Sequence, residues 1–85
     1  MDLRRLLSRL ARGDVANVSF TDVQRLAEAF GFELRRTKGS HHIFAHTRVP
    51  ELLNLQDVRG QVKPYQIRQF LRLVERYALT LKDER

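Results

Sequence analysis

The chain has 85 residues, carries 16 Lys and Arg against 10 Asp and Glu for a formal net charge of +6, and contains no cysteine. A chain of this length makes one domain around a single small core, and the absence of thiols excludes both a disulfide framework and a cysteine-based zinc site. A sequence pI near 10.8 suits a polyanionic partner, because release of condensed counterions drives such binding without sequence recognition.

Leu3, Leu6, Leu7 and Leu10 recur at helical spacing, with Arg4, Arg5, Arg9 and Arg12 largely on the opposite face. This predicts an amphipathic helix over 2–12, ended by Gly13-Asp14, with residues 13–18 as a connection. The same arginines interrupt any apolar run, so neither a signal peptide nor a membrane span is expected, and a soluble cytoplasmic protein is. Ser19 then offers a helix cap and Asp22 the matching position of a capping box. Phe20, Val23, Leu26, Ala27 and Phe30 form an apolar stripe, and Gly31 is placed to stop the helix, which is expected over 20–30.

After Gly31 the period changes to two. Phe32 and Leu34 alternate with Glu33 and Arg35 in a strand over 32–37, Lys38-Gly39 supplies a hairpin turn, and a second strand covers 40–46. A third strand is expected over Leu52–Gln56, after a loop containing Val49-Pro50. The last helix starts near Pro64, with Ile67, Phe70, Leu71, Val74 and Ala78 as its apolar stripe and Arg68, Arg72 and Arg76 four apart on another face. The organisation is a helix and connection at 1–18, a domain at 19–80 and a charged tail at 81–85. The expected class is α+β: a three-stranded antiparallel sheet covered on one face by two helices, with an additional N-terminal helix. From residue 20 onward the α-β-β-β-α order is that of double-stranded-RNA-binding-like domains.

One stretch, Thr37 to Phe44, combines a tight turn, two histidines and flanking charge from Arg35, Arg36 and Lys38. RNA cleavage by its own 2′-OH needs a proton acceptor and stabilisation of charge on the phosphorane, and histidine side chains titrate near neutrality. Gly39 lets the turn approach a phosphate, which the backbone N–H groups of Gly39 and Ser40 could bind. Lys38 and Arg36 are candidate backbone contacts, as is Lys63 at the helix start. Arg68 and Arg72, with Arg76, form either a ridge that binds RNA or a partner protein, or a solvated face. Adjacent strand residues point to opposite faces, so His41 goes with Ile43, and His42 with Phe44 and His46. If Phe44 faces the helices, His41 is the open-face candidate; if Ile43 does, His42 is. Because neighbouring strand histidines diverge and no carboxylate is close, a metal site is not expected. Ser40 lacks the carboxylate-histidine pair of a triad, and is read as a turn or phosphate contact.

The run Gly31-Phe32, then Gly39-Ser40-His41-His42-Ile43-Phe44, a third strand and a closing helix resembles the HicA-type toxins of bacterial toxin–antitoxin pairs, over about residues 19–80. The resemblance implies a metal-independent endoribonuclease toxin (an mRNA interferase) of double-stranded-RNA-binding-like fold, with messenger RNA as substrate, a HicB-type antitoxin as partner and no cofactor. It matches the catalytic histidine to His41. Residues 1–18 are an extension relative to the shortest members. Two other classes remain open at this point: a non-catalytic RNA-binding module of the same fold, and an adaptor whose basic face meets an acidic protein.

Overall fold

A computed structural model describes residues 2–82. In chain order the elements are α1 (Leu3–Ala11), β1 (Val18–Ser19), α2 (Phe20–Ala29), β2 (Glu33–Lys38), β3 (His41–His46), β4 (Val49–Gln56), β5 (Gln61–Val62) and α3 (Pro64–Arg76). The expected α-β-β-β-α arrangement with an added N-terminal helix is present. It gains one small feature, an antiparallel pairing of β1 with β5 that matches Val18 to Val62. This pairing uses the end of the expected 13–18 connection and joins the entrance of α2 to that of α3.

Each helix is delimited by local chemistry. Asp2 caps α1 by accepting the N–H groups of Arg4 and Arg5 at 3.0 and 3.3 Å, two of the amides that a first turn leaves without helical partners. Leu6 and Leu10 enter the core, while Arg9 turns back to Asp14 at 3.1 Å and to the Ala16 carbonyl at 2.9 Å. Ser19 Oγ accepts the Asp22 N–H at the start of α2. At the other end Gly31, with φ +102°, directs its N–H to Glu28 and that of Phe32 to Ala27, which closes the helix with a Schellman motif. The same motif ends α3, from Ala78 to Glu75 and from Leu79 to Val74, but the left-handed position is held by Ala78 at φ +50°.

The main sheet has the order β2-β3-β4, all antiparallel. Phe44, Leu53 and Leu55 are fully buried on its inner face, in one core with Val23, Leu26, Ala27, Ile67 and Phe70. The Phe70 ring lies edge-on to Phe30 and Phe32, with centroids 5.8 and 6.0 Å apart. One buried polar side chain, Gln66, is satisfied: its Oε1 accepts the Gln56 N–H at 2.8 Å and its Nε2 donates to the Tyr65 hydroxyl at 3.4 Å. This contact holds the start of α3 at the end of β4, where the histidine hairpin turns.

Four details differ from the sequence expectation. The third strand begins at Val49 rather than Leu52, and Pro50 is tolerated because β4 is an outer strand with one unpaired edge. In α3 the buried residues are Gln66, Ile67, Phe70 and Leu73, whereas Leu71 and Val74 are half-buried and Ala78 is exposed beyond the helix end. Leu34 is 41 % exposed, since it lies on the outer strand β2. Finally, the segment after α3 contributes Leu79 and Leu81 to the core, and the Lys82 N–H reaches the Ala29 carbonyl at 2.7 Å. Of the expected charged tail, residues 83–85 lie outside the described residues. No helix among the described residues is long and apolar enough to cross a membrane.

Candidate active site

The hairpin between β2 and β3 turns through Gly39 and Ser40, one residue later than the expected Lys38-Gly39, with Lys38 paired opposite His41. Gly39 has φ +59° while Ser40 does not enter positive φ, the pattern of a type II′ turn with glycine in its first central position. Ser40 is heavily engaged. Its carbonyl accepts the Asp57 N–H at 2.9 Å and His42 Nδ1–H at 3.0 Å, and its Oγ accepts Gln56 Nε2–H at 3.1 Å.

The three histidines have separate surroundings. His42 is half-buried on the inner face, its ring centroid 4.5 Å from that of Phe20. His46 uses both ring nitrogens: Nε2–H donates to the Phe30 carbonyl and Nδ1 accepts the Arg48 N–H, both at 3.0 Å. Its ring also seals the glycine stop of α2, because a Cβ on Gly31 would lie 2.8 Å from His46 Nε2. His41 projects from the open face, exposed, with Nδ1 3.3 Å from Asn54 Oδ1. Its Nε2 has no hydrogen-bond partner among the described residues. Phe44 therefore faces the helices and His41 looks out, the first of the two parities open to the sequence.

Cationic side chains reach this face through an irregularity in β2. Leu34 pairs with Phe44, but the next matched pair is Arg36 with Ile43, leaving Arg35 as an extra residue. Such a bulge reverses the alternation of everything beyond it. Arg36 and Lys38, which simple alternation from Leu34 would place with Leu34 on the inner side, instead share the outer face with Ile43 and His41. A shallow depression there is lined by Arg36, Lys38, His41, Ile43 and Asn54. Arg35 is occupied differently, 3.8 Å from Glu33.

The other cationic candidates are not brought to this depression. Lys63 is exposed just before Pro64 at the start of α3, the helix end that Gln66 ties to Gln56. Arg68 and Arg72 are exposed on α3, in the helix layer rather than on the open sheet face. Arg76 reaches Glu51 at 3.4 Å. Two β4 residues that the sequence did not single out, Asn54 and Gln56, stand beside His41 in the register. The signal available was the polar alternation within Leu53-Asn54-Leu55-Gln56.

A family model described as the HicA toxin of bacterial toxin–antitoxin matches residues 20–75. The chain belongs to the HicA toxin family. Comparison with curated proteins and with solved structures gave no significant match. The HicA segment runs from the first residue of α2 to the last turn of α3, so α1 and β1 stand outside it, while Arg36, Lys38, His41, Asn54 and Gln56 all stand within. Membership supports a toxin role directed at RNA, since HicA toxins act on RNA and pair with HicB antitoxins.

Proposed function

We propose that this HicA protein is a metal-independent endoribonuclease that cleaves messenger RNA with His41 as general acid/base, and that a HicB-type antitoxin neutralises it by covering the His41 face. The observation that carries the proposal is the open sheet face, where His41 stands with Arg36 and Lys38 and no helix among the described residues covers it. The free Nε2 accepts the 2′-OH proton as that oxygen attacks the adjacent phosphorus, and the proton is returned to the departing 5′-oxygen. Arg36 and Lys38 stabilise the charge that develops on the phosphorane. The Gly39-Ser40 turn brings backbone close to the phosphate. Lys63, Arg68 and Arg72 lie away from the depression, so on this proposal they contact flanking RNA or the antitoxin. RNA supplies its own nucleophile, so a single histidine with cationic neighbours suffices, at a modest rate.

Purified protein should cleave single-stranded RNA in the presence of a chelator and leave a 2′,3′-cyclic phosphate or its hydrolysis product. Induced expression should arrest growth with loss of messenger RNA. Full cleavage by His41→Ala would sink the assignment of that residue. Salt-dependent RNA binding without cleavage, insensitive to His41→Ala and weakened by Lys63→Glu or Arg68→Glu, would instead identify a non-catalytic binding module.

A further inference from the structure

A general base at Nε2 requires the imidazole proton to reside on Nδ1, yet free neutral histidine favours the opposite tautomer. His41 lies on the open face, where no main-chain carbonyl among the described residues bonds to its ring. The group that does reach it is Asn54, from the neighbouring strand β4, where Asn54 pairs with Ile43 and Gln56 with His41. Asn54 Oδ1 lies 3.3 Å from His41 Nδ1. An amide oxygen only accepts, so in this contact the imidazole nitrogen donates, and in the neutral ring Nε2 is left with its lone pair directed at the open face.

We propose that Asn54 is the positioning residue of the site: it holds His41 as the Nδ1–H tautomer and orients Nε2 towards the substrate phosphate. Asn54 suits the task because it is neutral. The charged groups facing His41 are Arg36 and Lys38 of β2, and β4 places only the amides Asn54 and Gln56 beside it. A carboxylate in place of Asn54 would also accept from Nδ1, but it would hold the ring protonated to higher pH and ion-pair with the cations meant for phosphate. The Gln56 amide is directed elsewhere, with its Nε2 donating to Ser40 Oγ at 3.1 Å. Half-buried within β4, Asn54 is held by the strand rather than by a mobile loop.

The consequence for catalysis rests on the ribonuclease proposal, whereas the tautomer itself does not, so the two can fail separately. Long-range proton–nitrogen correlation spectra of the nitrogen-labelled protein, at a pH where His41 is neutral, report which ring nitrogen carries hydrogen. The wild-type protein should show the Nδ1–H pattern, and Asn54→Leu should revert to the Nε2–H pattern. In cleavage assays Asn54→Leu should lose at least about tenfold in kcat with little change in KM, as expected for a base held in the wrong tautomer. Asn54→Asp should keep the Nδ1–H pattern and move the acid limb of kcat/KM to higher pH. An Nε2–H pattern in the wild-type protein overturns the proposal, as does an unchanged tautomer and pH profile in a folded Asn54→Leu. Should Asn54→Leu fail to fold, the wild-type spectrum alone decides. A wild-type protein that shows the Nδ1–H pattern but cleaves no RNA would refute the ribonuclease proposal while leaving the Asn54 contact standing.

Discussion

The adjacent histidines of the hairpin should have opposite mutational signatures. His41→Ala removes one 3.3 Å contact between an exposed ring and a half-buried amide at the surface, a change expected to alter stability by no more than about 0.5 kcal/mol. Under the proposed mechanism it removes the proton acceptor and lowers cleavage by roughly 10²–10⁴-fold. His42→Ala does the reverse. It deletes the 3.0 Å bond to the Ser40 carbonyl and the ring contact with Phe20 at 4.5 Å, while the carbonyl keeps the Asp57 N–H as a partner. The loss is about 1 kcal/mol for the hydrogen bond and about 0.5–1.5 kcal/mol for the aromatic pair, or about 1.5–2.5 kcal/mol together. For a domain of this size each kcal/mol moves the midpoint by about 4–8 °C, so the expected fall in Tm is roughly 6–20 °C. Thermal unfolding followed by circular dichroism gives the stability, and RNA cleavage is measured well below both midpoints. An inactive but folded His42→Ala beside an active His41→Ala would refute the parity assignment.

Gly31→Ala forces a side chain onto φ +102° and sets its Cβ 2.8 Å from His46 Nε2; strain and the displaced His46 hydrogen bond together should cost about 2–4 kcal/mol in urea unfolding. Ala78→Gly should stabilise by about 0.5–1 kcal/mol, because the Schellman position at φ +50° carries a left-handed penalty that glycine escapes; an unchanged or lower midpoint would show that this end of α3 frays instead. The Tyr77 hydroxyl donates to Glu51 at 2.5 Å, which holds the Glu51 carboxyl below its ordinary range, with the Arg76 charge adding to it, and raises the Tyr77 phenol against the opposing Arg76 charge. A depressed folded-state carboxyl contributes stability above the unfolded value, about 4.3, and loses it as pH falls through the folded one; the raised phenol contributes below about 10 and loses it as pH rises further. The difference in urea midpoint between wild type and Glu51→Gln should therefore be largest near neutrality and shrink at both extremes, and a difference constant with pH would refute the pairing.

What the sequence made legible was local. Capping by Ser19, the stop at Gly31, the change of period after it and the start of α3 at Pro64 are each decided within a few residues, and each is present in the fold. The parity that separates His41 from His42 is likewise local once Phe44 is assigned to the core. The parts missed depend on neighbours distant in the chain. Val49 and Pro50 join a strand because β3 supplies pairing from His46, which no propensity announces. Leu73, Leu79 and Leu81 are buried because α3 packs against β4 and the chain after it folds back to Ala29. Asn54 belongs to the site because strand register sets it beside His41.

The charge balance was ambiguous for a related reason, since composition cannot distinguish a basic surface from a basic site. Several cations are committed to partners within the fold: Arg9 to Asp14, Arg35 to Glu33, Arg76 to Glu51 and Arg48 to the Tyr77 carbonyl. Arg36 and Lys38 have no ion-pair partner among the described residues, and the bulge at Arg35 turns both to the face that carries His41. The same irregularity interrupts the outer edge of β2, which discourages pairing with another strand. One extra residue thus keeps the edge from acting as a pairing template and gathers unneutralised charge beside the exposed imidazole. That is why the ribonuclease proposal rests on this face and not on the net charge of the chain.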